Sequence, residues 1–73
     1  MSAAMEAHIG ARIRKARQAA KLSQEKLGVV LDVTFQQIQK FENGRNRITA
    51  SQLFTVAGAL GVSVGYFFKG VPK

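Results

Sequence analysis

Apolar residues recur along this chain at intervals of three and four, so the prevailing pattern is helical. From about Glu6 to Ala20, the residues Ile9, Ile13, Ala16 and Ala20 fall on one stripe, which predicts a first helix with its arginines lying off that stripe. Glu6 near its start and Lys21 at its end both suit the helix macrodipole. A second helix opens at Ser23, a good N-cap, with Glu25 in its first turn and Leu27, Val30 and Leu31 as its buried side. It should stop at Asp32, because Asp tolerates the left-handed conformation that a sharp turn needs. Thr34 and Gln37 have the spacing of a capping box, so a third helix, Thr34 to about Asn43, follows almost without a gap. Its period turns Ile38 and Phe41 inward and projects Phe35, Gln36, Gln39, Lys40 and Asn43 outward.

Gly44 ends the third helix as a C′ residue, and NGRNR is then a short basic loop. Thr49 with Gln52 repeats the capping box, and Leu53, Val56, Ala57 and Leu60 mark the buried stripe of a fourth helix that Gly61 stops. Ser63 can cap a last short helix through Phe68, after which GVPK is a frayed end. Val62, Val64, Tyr66, Phe67 and Phe68 make the most apolar segment; half belongs in the core and the rest is a contact surface for a partner subunit. The expectation is an all-α, five-helix bundle: one domain over residues 1–73, with an ordered core of about 6–69.

With 73 residues, 47% of them hydrophobic, the chain supports one small core and no second domain. It has no Cys, hence neither a disulfide framework nor a thiolate metal site, which suits a reducing cytoplasm. No apolar run approaches a membrane span, and MSAAMEAHIG lacks the apolar core of a signal peptide. His8 has no second ligand near it and reads as a solvated residue of the first turn. No nucleophile, base and orienting group can be assembled, so the expectation is a non-enzyme without metal, cofactor or evident small-molecule ligand.

Charge changes the picture more. Eleven Lys and Arg against four Asp and Glu give a net charge of +7 and a pI near 10.7, which points to a polyanionic partner. Arg12, Arg14, Lys15, Arg17 and Lys21 crowd the first segment, and Arg45 and Arg47 flank the loop after the third helix. A capped helix that begins within two or three residues of its predecessor, carries amides and a cation outward, and runs into a basic loop has the form that enters a DNA major groove.

In that order and spacing, IGARIRKAR, LSQEKL, LDVTFQQIQKFENG and LFTVAGALGVSVGYFF resemble the Cro/CI-type, lambda-repressor-like (Xre) helix-turn-helix domains over Ile9 to Gly70. The resemblance implies a five-helix bundle whose helices two and three form the helix-turn-helix. Its third helix would dock in the major groove of double-stranded DNA, usually as a homodimer on a palindromic operator. Phe35, Gln36, Lys40 and Gln39 would then read bases, while Ser23, Gln24, Thr34, Asn43, Arg45 and Arg47 would hold phosphates. Arg17 and Glu42 would form a partly buried ion pair between helices one and three, Gly28 would allow close helix approach, and Tyr66, Phe67 and Phe68 would meet a partner subunit. Lys21 and Asp32 depart from the family pattern, which usually has Gly at both left-handed positions. A transcriptional repressor is the leading expectation. Antitoxins and restriction-modification controllers use the same fold, and a protein-interaction module that has lost its operator is a further alternative.

Overall fold

The structure is a computed structural model that describes residues 3–71. Four α-helices, α1 (Ala3–Ala19), α2 (Gln24–Leu31), α3 (Phe35–Glu42) and α4 (Ala50–Leu60), are followed by a 3₁₀ segment, Val64–Phe68; no strand occurs among the described residues. The expected five-helix bundle is thus corrected to four α-helices and a 3₁₀ turn. The closing segment is only five residues long and contains Gly65, and it is held by i to i+3 bonds such as Tyr66 N–H to the Ser63 carbonyl at 3.1 Å. Ser63 precedes it in extended conformation but makes no side-chain cap. Pro72 and Lys73, at the expected frayed end, lie outside the described residues.

The core is one cluster. Ile9, Ile13 and Ala16 of α1 meet Leu27 of α2, Ile38 and Phe41 of α3, Leu53, Val56, Ala57 and Leu60 of α4, and Phe67 of the 3₁₀ segment. Phe67, Ile13, Leu27, Ile38 and Val56 have lost essentially all contact with solvent, a burial worth about 1.5–3 kcal/mol for each such side chain. Two residues expected in the core lie outside it. Ala20 is exposed because α1 ends at Ala19 and the chain turns away through Lys21, at φ 58°. Val30 is exposed because the buried arc of α2 is tipped toward Gly28, which packs against the start of α3.

The turns form where the sequence placed them. Ser23 accepts a hydrogen bond from the Lys26 N–H at 3.0 Å, and Asp32 takes the left-handed conformation, φ 57°, that ends α2. Thr34 accepts from the Gln37 N–H at 3.2 Å, but the return bond from Gln37 is missing, so this capping box is half made. At Thr49 and Gln52 both bonds form, at 3.1 and 2.9 Å. Gly44 and Gly61 supply further left-handed turns, at φ 73° and 71°.

Candidate nucleic-acid interface

Two glycines bring the backbones close enough to position α3. A Cβ at Gly28 would come within 2.6 Å of the Val33 carbonyl oxygen, which is what lets α3 begin so soon after α2. A Cβ at Gly10 would come within 2.2 Å of the Phe41 carbonyl oxygen, so α1 crosses the last turn of α3 in backbone contact. Gly10 was not among the residues singled out by pattern. A glycine within an amphipathic helix, directly after a buried Ile, was the available signal.

Across the same crossing lies the expected ion pair. Arg17 Nε donates to Glu42 Oε2 at 2.6 Å and its Nη2 to Oε1 at 3.0 Å, a two-pronged contact, while Nη1 donates to the Leu22 carbonyl at 3.0 Å. Both residues are buried. Gln24 Nε2 donates to Glu42 Oε1 at 3.1 Å, which ties the start of α2 to the end of α3. Arg17 therefore joins α1 to α3 and to the turn before α2, and is withdrawn from solvent.

With α3 anchored this way, Phe35, Gln36, Gln39 and Lys40 are all exposed. Phe35 keeps 41% of its surface in solvent although it opens the helix, and Ile38 and Phe41 fix the opposite face in the core. Ser23 and Thr34 use hydroxyl lone pairs for capping, so their O–H groups remain to donate. Gln24 has a second amide N–H beyond the one given to Glu42. Asn43 closes α3 and is exposed, and Arg45 is exposed with its own N–H bonded to the Lys40 carbonyl at 2.9 Å. The bond from Gln24 to Glu42 places Ser23 and Gln24 beside the end of α3 that carries Asn43 and Arg45. A row of donors thus borders the amide-rich helix face.

The other expected site residues separate. Arg47 Nε lies 3.5 Å from Glu6 Oε1, facing an acid of α1. Phe67 is wholly buried, Tyr66 is half-buried, and only Phe68 of the three expected partner contacts keeps an exposed ring. Arg12, one of the basic residues crowded into the first segment, stands with its guanidinium 3.8 Å from the centre of the Tyr66 ring and donates from Nε to the Tyr66 carbonyl at 3.0 Å. His8 is half-buried, and its Nε2 lies 2.7 Å from the Lys69 carbonyl oxygen and so donates to it. Arg12 and His8 together clasp the 3₁₀ segment to α1. Arg14, Lys15 and Lys21 remain exposed.

A cavity of about 210 Å³ opens beside Glu6, lined by Ile9, Phe41, Ile48, Leu53 and Phe68. Among the described residues no cluster of His, Asp or Glu could hold a metal, and no helix is long and apolar enough to cross a membrane.

Comparison with known proteins adds to this geometry. Residues 13–67 match the helix-turn-helix family model. Over 69 residues the chain is 49% identical to an uncharacterized transcriptional regulator in the ATPase CF(0) region of Rhodospirillum rubrum, a match that covers 94% of this chain and 64% of that protein. The chain thus spans less than two thirds of that relative. The restriction-modification controller protein C.AhdI from Aeromonas hydrophila superposes with a TM-score of 0.83 at 26% identity, over 90% of this chain and 96% of the controller. Hydroxypropylphosphonic acid epoxidase from S. wedmorenis also superposes, with a TM-score of 0.83, but at 24% identity and over 35% of its own length, a likeness of fold alone.

Proposed function

We propose that this chain, which belongs to the helix-turn-helix family, is a cytoplasmic transcriptional repressor that binds a palindromic operator as a homodimer with α3 in the major groove. The observation that carries the reading is the exposure of Phe35, Gln36, Gln39 and Lys40 on one capped, core-anchored helix, bordered by the donors of Ser23, Gln24, Thr34, Asn43 and Arg45. The amide of Gln36 suits the N6/N7 edge of adenine, Lys40 the O6/N7 edge of guanine, and Phe35 a thymine methyl. The bordering groups hold phosphates, which set register without reading sequence. The naming of the Rhodospirillum relative as a transcriptional regulator supports this role.

A dimer follows from economy of recognition, since one small module meets too few base pairs for high specificity. Its contact is assigned to Phe68 with the partly exposed Val64 and Tyr66, and Phe67 drops out because it has no surface left. The paired α3 helices would then lie about 34 Å apart, one turn of DNA. A second reading, control of a restriction-modification system, is favoured by the near-complete overlap with C.AhdI.

The test is selection of bound sequences from a random DNA pool, followed by binding to the selected duplex and a scrambled one across a salt series. Gln36→Ala should cost about 1–3 kcal/mol on the selected duplex and little on the scrambled one. Arg45→Ala should weaken both alike and shallow the salt dependence by about 0.9 in slope per subunit. A reversed pattern, with Gln36→Ala acting on both duplexes and Arg45→Ala altering base preference, would remove α3 as the reading element.

A further inference from the structure

Arg45 and Arg47 lie two residues apart in one basic loop, yet the structure treats them differently. The loop is pressed onto the first turns of α1: a Cβ at Gly44 would come within 2.7 Å of the Ala7 Cα, so there is no room between loop and helix at that point. Glu6 is the neighbour of Ala7. Its side chain is only 10% exposed, its Oε1 is buried without a hydrogen bond, and Arg47 Nε stands 3.5 Å from that oxygen. On its other side the carboxylate borders a mostly apolar cavity whose lining includes Ile9, Phe41, Phe68 and Asn46, none of which donates a hydrogen bond to Oε1. Arg47 is thus the one cation paired with Glu6 among the described residues, while 74% of its own side chain remains in solvent. Among the described residues Arg45 has no such acid partner.

We propose that Glu6 competes with DNA phosphate for Arg47 and holds it back from the backbone, so that Arg45 alone carries the loop's phosphate contact. The proposal rests on the DNA-binding reading and refines it. A largely buried carboxylate deprived of its cation is costly, whereas an exposed arginine loses little by keeping its acid in place of a phosphate. An arginine already neutralised by a carboxylate displaces no counterion from DNA, so Arg47 adds nothing to the salt dependence. Glu6 is a positioning residue that lowers general affinity for DNA without touching it.

The experiment measures binding of wild type, Glu6→Gln, Arg47→Gln and the double variant to a short random-sequence duplex over a salt series. Arg47→Gln should leave the wild-type slope unchanged. Glu6→Gln should steepen it by about 0.9 per subunit and tighten binding up to roughly eightfold per subunit near 0.1 M salt. In the Arg47→Gln background the same change should have a clearly smaller effect, which separates release of Arg47 from mere loss of a negative charge. Arg47→Gln shallowing the slope as much as Arg45→Ala would overturn the proposal, as would equal tightening by Glu6→Gln in both backgrounds. If Glu6→Gln fails to fold by circular dichroism, Arg47→Gln against wild type still decides. If wild type binds no duplex, the DNA reading itself fails; elution of Glu6→Gln from heparin at higher salt than wild type would then support the competition, and co-elution would overturn it.

Discussion

Two arginine–glutamate pairs fasten α1 to the elements packed against it, and they are built for opposite ends. Arg17 and Glu42 meet through two hydrogen bonds, both side chains are nearly closed to solvent, and Gln24 and the Leu22 carbonyl complete the set of partners. Arg47 and Glu6 meet at 3.5 Å through one nitrogen, with the acid buried and the base in water. The first pair spans the crossing where Gly10 touches α3 and so helps determine where α3 stands. The second spans a loop, and its cation has somewhere else to go. Like charges on like residues do different work because burial and denticity differ.

The largest effect expected is on the buried pair. Glu42→Ala leaves the Arg17 guanidinium closed off from water and strips Gln24 of its acceptor, and should cost about 3–5 kcal/mol in urea unfolding. Replacing both residues with apolar ones, Arg17→Met with Glu42→Leu, should cost less than either single change. A double-mutant cycle without coupling would make the pair ornamental. Next comes the crossing beside it. Gly10→Ala drives a methyl into two carbonyls, those of Phe41 and Glu42, and main chain cannot step aside as a side-chain tip can. About 3 kcal/mol is expected, the upper end for overpacking, and a melting temperature lower by roughly 12 °C or more. A melting temperature within a few degrees of wild type would mean that α1 and α3 can separate without loss.

The looser pair should register far more weakly in stability. The coupling between Arg47→Gln and Glu6→Gln should be about 1–2 kcal/mol, enough to outweigh one phosphate contact but well below that of the buried pair, and should weaken as salt approaches about 1 M, where the screening length is near 3 Å. The coupling of Arg17 with Glu42 should survive the same salt. Equal salt sensitivity of the two cycles would erase the distinction between them.

Much of this arrangement was legible in the chain. The left-handed turns at Asp32, Gly44 and Gly61, the caps at Ser23, Thr34 and Thr49, and the outward face of α3 follow from local chemistry that any segment carries with it, whereas the left-handed turn at Lys21 came from the family resemblance. The pairing of Arg17 with Glu42 came from resemblance, since nothing local joins residues 25 positions apart. What pattern could not supply was long-range. The pattern sets Arg12 off the apolar stripe of the first helix but cannot show that Tyr66 folds beneath it, nor that the Lys69 carbonyl reaches His8. Phe67 and Phe68 are indistinguishable by composition, yet the phase of a 3₁₀ turn buries one and exposes the other. Val30 belongs to the apolar stripe of α2 on paper, and leaves the core because Gly28 draws the helix toward α3.

The rule that a charge is worth what its surroundings make it extends to the smallest effect, at the two left-handed residues that carry side chains. Lys21 has φ 58° after α1, and Asp32 has φ 57° after α2. Glycine at either position would relieve roughly 1 kcal/mol of backbone strain but forfeit a comparable amount through the freedom it adds to the unfolded chain. Those terms nearly cancel, which leaves the helix dipole to decide. Lys21 puts a positive charge at the negative end of α1, a favourable placement, whereas Asp32 puts a negative charge at the negative end of α2. Asp32→Gly should therefore raise stability by about 0.3–1 kcal/mol, and Lys21→Gly should leave it unchanged or slightly lower. Asp32→Asn isolates the cause, since it keeps a residue that tolerates the left-handed conformation and removes only the charge; it should recover most of the gain. Urea midpoints for the three variants, with slopes compared to wild type, measure the effect. A gain from Lys21→Gly larger than that from Asp32→Gly would show that strain at the Cβ, not charge at the helix end, governs both turns.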